Sequence, residues 1–394
     1  MNKSKRRGQR RATVLGASIG LIIIVTFVLT LVAPDLGSRS ASSNIDPLAT
    51  PRPTELIIPT PDPNPQLEGR PVYIHSSGLF QTFMPAGSDW YVDEGESVGA
   101  SAAARVVISS PQRLAVIHNY IQPGVQYESL AALSERFLTV QHFAGAWQDY
   151  EAWRETGRQV SDDRVVVDFA LVSQGHDYLG RSTARLFDDW LFVTRLVVPA
   201  NNSALLDLLQ ALVVPTFSGF KTLLALPAAW PAAIDQQAGW ILKHPPEWTQ
   251  VAGSPGRPMT FLLGTGNNDE RVRVWTEAQT PLESAEAAQA WAKASELLGA
   301  EEVLGAEAIQ REAGTGYLVA YRTRDLAGDL HSGLVALLND DAQTLFVADL
   351  QIDPPDAALL SSETVPATYA SARQAVAEGF IVLPAGSRAT AAGS

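Results

Sequence analysis

The chain has 394 residues, 46% hydrophobic and 18% charged, enough to bury one large core or two ordinary ones, which excludes disorder and fibrous repeats. Six basic residues fall within the first eleven and no acidic residue precedes Asp35, so the remainder holds 23 basic against 42 acidic residues, a balance that argues against nucleic acid. With no cysteine there is no disulfide, no thiolate metal site, no Cys nucleophile and no lipidated Cys.

After the basic tail of residues 1–11, Ala12 to Ala33 reads ATVLGASIGLIIIVTFVLTLVA without a charge. At 1.5 Å per residue this stretch spans roughly 33 Å, which predicts a transmembrane helix. Basic residues on its N-terminal side place the N-terminus in the cytoplasm and the bulk outside the plasma membrane. A cleaved signal fits less well, because the apolar run exceeds the length of an h-region and Pro34 follows Ala33. Gly16 and Gly20 are candidate helix-packing residues through which the chain would homodimerise in the bilayer. The G-x-S-x-G pattern around Ser18 cannot be a nucleophile elbow, which needs a strand-to-helix turn.

Residues 34–72 hold nine of the 25 prolines, and Pro59, Pro61, Pro63 and Pro65 alternate strictly. That composition favours polyproline II and predicts a semi-rigid stalk. Beyond it, two stretches repeat the same signals at an offset near 154 residues. Leu191-Phe192-Val193 lies over Leu345-Phe346-Val347, Ala204-Leu205-Leu206 over Ala358-Leu359-Leu360, and Tyr127-Glu128-Ser129 over Leu282-Glu283-Ser284 at 155. So long a period excludes a solenoid and indicates a duplicated domain, with boundaries at 73–221 and 235–385, a linker over 222–234 and a tail over 386–394.

Within each copy a short strand ends in Pro and Trp, at Phe80 to Pro85 with Trp90 and at Trp240 to Pro245 with Trp248. A hairpin follows around Ser110-Pro111, or around Gly264 to Asn268. Apolar residues at three- and four-residue steps then predict a helix over Tyr127 to His142, matched by Leu282 to Leu298. Three or four further strands include Arg164 to Val172, Ser182 to Phe187 and Trp190 to Val198, matched by Tyr317 to Thr323, Gly333 to Leu338 and Thr344 to Ile352. Turns at Asp188-Asp189 and Asn339 to Asp341 pair the last two antiparallel. A helix closes each copy, Ser203 to Val213 or Thr368 to Glu378, before the echo Ser-Gly219-Phe220 and Glu-Gly379-Phe380. The expected fold class is therefore α+β, two antiparallel sheets each carrying packed helices.

These features together, a strand ending in Pro and Trp, a hairpin, a long helix, a strand series ending L-F-V-x-x-L and a closing helix before Gly-Phe, resemble the PsbP-like fold. The resemblance covers both copies, about 75 to 220 and 235 to 385. It implies a binding or assembly role and transfers no catalytic residue.

The six histidines, His75, His118, His142, His176, His244 and His331, show no metal-ligand spacing, so no metal or other cofactor is expected. Ser173, His176 and Asp177 form only a loose imitation of a triad, and Gln174-Gly175 makes that stretch a hairpin loop. The acidic pairs at Asp162, Asp188 and Asp340 fall at turns and lack calcium-loop spacing. In Trp147-Gln-Asp-Tyr-Glu-Ala-Trp153, alternation puts both tryptophans on one face with Asp149 and Glu151, so Trp147 and Trp153 are the candidate binding residues. The expected function is non-enzymatic binding or scaffolding of another envelope component. A small-molecule or glycan-binding sensor is the alternative, and an envelope hydrolase a more distant one.

Overall fold

A computed structural model describes residues 60, 67 and 72–389, apart from 96–103, 140–149, 252–256, 265–269, 280, 326–327 and 341–342. The expected membrane span, Gly16, Gly20 and most of the stalk lie outside the described residues. Among the described residues no helix is long and apolar enough to cross a membrane.

The first copy opens with strands β1 (Tyr73–Ile74), β2 (Phe80–Thr82), β3 (Tyr91–Asp93), β4 (Arg105–Ser110) and β5 (Ala115–Gln122), then helix α1 (Leu130–Arg136). It continues with β6 (Ala152–Val160), β7 (Val165–Ser173), β8 (His176–Phe187), β9 (Trp190–Pro199), α2 (Ser203–Thr216), β10 (Ser218–Gly219) and the single turn α3 (Lys221–Leu224). The second copy runs β11 (Ala232–Asp235), β12 (Trp240–Lys243), β13 (Thr249–Val251), β14 (Met259–Leu262), β15 (Arg271–Ala278), α4 (Ala285–Ala294) and β16 (Ala300–Arg311). It closes with β17 (Gly314–Arg324), β18 (Leu330–Asn339), β19 (Thr344–Ile352), α5 (Ala370–Ala377) and β20 (Phe380–Val382).

Both copies build a seven-stranded antiparallel sheet with one strand order, β3-β4-β5-β9-β8-β7-β6 and β13-β14-β15-β19-β18-β17-β16. A three-stranded sheet accompanies each, β1-β2-β10 and β11-β12-β20. The described residues are mostly antiparallel sheet with few helices, which corrects the α+β expectation to a mostly sheet architecture. Within the predicted helix over Tyr127 to His142, whose residues 140–142 lie outside the described residues, α1 covers seven residues, capped by the Ser129 hydroxyl and ended at Phe137. Its counterpart α4 is capped by Ser284 and stops where Ser295 turns extended.

Central strands are buried on both faces, so β9 has no exposed residue and β19 is buried from Leu345 onward. On one face of the first sheet Leu205, Leu209 and Val213 of α2 pack against Ile108, Leu196 and Val198. On the other, Leu133 of α1 meets Val165, Val167 and Val193. The second sheet repeats the arrangement, with Ala375 and Val376 of α5 on Leu334, Phe346 and Leu350, and Ala288 and Ala292 of α4 on Val319, Val335 and Val347. A ring over a glycine marks the same place in each: a Cβ on Gly180 would lie 2.1 Å from Phe169, and one on Gly333 2.2 Å from Tyr321.

The Gly-Phe echo now has a physical cause, since the chain returns there to pair with the middle strand of the small sheet in its own copy, Gly219 opposite Phe80 and Phe380 opposite Leu242. A side chain at Gly219 would meet Phe192 at 2.7 Å, and one at Gly379 would meet the Lys243 carbonyl at 2.4 Å.

The two small sheets pack on one another and join the copies. Ile74, Phe220 and Leu223 from the first meet Ile241, Ile381 and Leu383 from the second. Gly78, with φ +68°, is pressed against the other copy so closely that a Cβ would lie 2.7 Å from that of Ala232. Polar links flank this apolar seam. Lys243 Nζ donates to the Ser77 carbonyl at 3.4 Å, and the Thr222 N–H donates to Glu312 Oε1 at 3.0 Å. Gln236 Nε2 donates to both the Val72 and Ser387 carbonyls, at 2.7 and 2.9 Å. Leu67, read from sequence as stalk, packs on the first core.

Candidate functional site

Of the candidate residues, Trp147 lies outside the described residues, as do Gly16 and Gly20. Trp153 sits on β6, the edge strand of the first sheet, half-buried and stacked on Phe169 with ring centroids 5.7 Å apart. Leu171, Val197 and Tyr178 complete that apolar group. The loop between Ser173 and His176 is a two-residue turn with Gln174 and Gly175 both at positive φ, so its Ser, His and Asp residues serve a hairpin. Asp163 likewise closes a turn, accepting from the Ser161 hydroxyl at 2.7 Å.

Two constellations bring titratable groups together that the sequence did not connect. The first lies in the β1–β2 turn at the seam. His75 Nδ1 accepts from the Ser77 N–H at 3.1 Å and lies 2.9 Å from the Ser77 hydroxyl, while Nε2 lies 3.0 Å from the Arg105 carbonyl. This pattern fixes the neutral tautomer with the proton on Nε2. Burial pushes His75 below its ordinary pKa, and Lys243 adds to the effect, against the opposing pull of Glu94. Glu94 accepts from the Ser76 N–H at 2.8 Å and from the hydroxyls of Ser76 and Tyr73. Burial raises the Glu94 carboxyl, but those hydrogen bonds prevail and hold it below the usual range. With both imidazole nitrogens committed to one turn and the backbone of β4, the Ser77–His75 contact is a lock on the turn that carries the seam.

Lys243 reaches this turn from the second copy. Its side chain is fully buried, and desolvation lowers its pKa from 10.5 to about 8.

The second constellation contrasts equivalent places in the two sheets. In the second, Asp349 is fully buried, accepts from Arg273 Nη2 at 2.6 Å and from Nε at 3.0 Å, and takes the Tyr321 hydroxyl on its other oxygen. Gln351 Nε2 donates to the Tyr321 oxygen at 3.1 Å. Burial would lower Arg273, and the Asp349 charge outweighs it. In the first sheet the matching strand pair holds His118 opposite Arg195, where the second holds Arg273 opposite Asp349. Arg195 lies over the Tyr120 ring at 5.0 Å. Burial, together with the charges of Arg195 and Arg105, lowers His118 to about 3 and keeps it neutral. The two sheets thus share a strand order while one holds an ion pair where the other holds a cation packed on an aromatic ring.

His331, the second residue of β18, lies between two carboxylates, Asp353 at 3.2 Å and Asp325 at 3.6 Å. Asp325 lies six positions before His331 and Asp353 lies 22 after it, so the second carboxylate is not announced by local spacing. His244 stacks on Trp248 at 5.4 Å with planes 9° apart. Among the described residues no group of three or more His, Asp or Glu side chains is arranged to hold a metal ion.

No family model and no curated protein matches the sequence. Among solved structures the chain is similar to cyanobacterial PsbP from Synechocystis sp. PCC 6803, at 19% identity over 38% of this chain and 91% of that one, with a TM-score of 0.28. A protein from Bacteroides thetaiotaomicron is similar at 10% identity over 39% of this chain and 49% of its own, TM-score 0.26. An immunity protein of a type VI secretion system from Pseudomonas aeruginosa aligns at 11% identity over 80% of this chain and 97% of its own, TM-score 0.19. The first is a partial likeness to the PsbP-like fold and carries no function across.

Proposed function

We propose that the chain is a single-pass membrane protein, N-terminus in the cytoplasm, that holds a pair of fused sheet domains on a Pro-rich stalk to bind another envelope component. The observation that carries this reading is the seam. Interlocked glycine packing, a shared apolar core and hydrogen bonds at Gln236, Thr222 and Lys243 make the two copies one body, as a scaffold must be if it is to present a fixed surface. The stretch from Ala12 to Ala33 supplies the anchor, and the prolines of 34–72 set the body off from the lipid. The acid surplus of the body selects a basic or neutral partner.

The test uses the full chain in native membranes. Alkaline carbonate extraction should leave it in the pellet, and protease added outside should digest the folded region. Affinity recovery from detergent should yield one stoichiometric envelope protein that an acidic control protein does not retain. A chain that washes off the membrane removes the anchor, and recovery of nothing beyond the control removes the scaffold.

A further inference from the structure

An open cleft of about 320 Å³ lies at the C-terminal end of α4, lined by Glu277, Trp291, Ala294, Ser295, Glu296 and Leu297. Its chemistry is one-sided. Two glutamates line it, and Trp291 is oriented by donating its Nε1–H to Glu277 Oε1 at 2.8 Å. The last turn of a ten-residue helix forms one wall, and helix C-termini carry negative partial charge. Leu297, 43% exposed, adds an apolar surface. The basic residue of that last turn, Lys293, is committed elsewhere, to the carbonyls of Ala300 and Glu301.

We propose that this cleft receives an arginine side chain from a basic segment of the partner, an inference that rests on the binding role above. Carboxylates, a helix C-terminus and an indole all favour a cation, and arginine alone among protein side chains pairs with a carboxylate through a planar fork while lying flat on an aromatic ring. Its methylene stem has Leu297 to lie against. The surplus of acidic over basic residues in the body draws such a segment in. The corresponding position in the first copy is Gln122, opposite Leu191 in the sheet as Glu277 is opposite Leu345, so this chemistry belongs to the second copy.

The experiment measures binding of a penta-arginine peptide, with penta-glutamine as the uncharged control, to the full chain in detergent by titration calorimetry. Penta-arginine should bind and penta-glutamine should not. In the double variant E277Q/E296Q affinity should fall at least tenfold with an unchanged melting temperature, because glutamine keeps the acceptor for Trp291. The double variant E307Q/E363Q removes the same net charge from exposed sites elsewhere and should bind as the parent does. Equal weakening by both pairs, or no weakening by E277Q/E296Q, overturns the cleft. Recovery of a stoichiometric partner alongside such a result would leave the scaffold reading standing and remove this inference alone.

Discussion

Replacing Lys243 with methionine tests whether the seam tolerates its buried charge or depends on it. The side chain has no exposed surface, and its pKa is about 8 against 10.5 for a free lysine. At about 1.4 kcal/mol per pH unit, this difference corresponds to an order of 3 kcal/mol of penalty for the ammonium at neutral pH. The penalty is present in full below about pH 8, where both states are protonated, and disappears as pH rises through 10.5, where both are neutral. Methionine keeps the volume and removes the charge, at the cost of the Lys243 hydrogen bond to the Ser77 carbonyl, about 1 kcal/mol. Lys243→Met should therefore be about 2 kcal/mol more stable than the parent at pH 7, and that advantage should vanish by pH 10.5. Urea unfolding of the full chain in detergent, run at pH 7, 8.5 and 10.5, measures the difference, and taking it between variant and parent cancels groups common to both, such as Tyr73. A variant less stable at pH 7, or an advantage that persists unchanged to pH 10.5, refutes the reasoning.

Two further outcomes follow from the packing. Gly78→Ala places a methyl 2.7 Å from the Ala232 Cβ at a residue with φ +68°, so it should lower stability by about 1–3 kcal/mol and raise hydrogen exchange first in β1, β2, β11 and β12; exchange unchanged there would contradict the seam as drawn. Asp349→Ala leaves Arg273 without its buried carboxylate and should cost about 3–5 kcal/mol in urea unfolding, whereas Asp207→Ala, which removes an exposed partner of Arg181, should cost under about 1 kcal/mol.

Most of the sheet was legible from alternation and turn chemistry. The hairpins at Ser110-Pro111, Gln174-Gly175 and Asp188-Asp189 all join paired strands, and the offset of 154 residues anticipated two sheets of one strand order. The long edge strands were harder to read. Ala300 to Arg311 is rich in Glu and Ala, faces solvent along much of its length and carries two register shifts, so its period-two signal is broken where the strand bulges. Leu130, Leu133, Phe137 and Val140 share a helical period, yet α1 ends at Arg136 with Phe137 as its cap, and Val140 lies outside the described residues. The charged constellations were invisible for a different reason. Glu94 and Lys243 reach the His75 turn from distant elements, as Asp349 reaches Arg273, so only the pairing of strands could place them together.

The amide nitrogen of Gln236 touches the carbonyl of Val72, at the entry to β1, and that of Ser387, just past β20. Entry and exit therefore lie side by side, and the folded region is a ring in all but covalent fact. Tension applied at Val72 would arrive beside the joint between the copies. The same closeness means that a short peptide bridging the two ends would cost little, and the chain could be reopened at the exposed Gln174-Gly175 turn with every strand still able to find its neighbour.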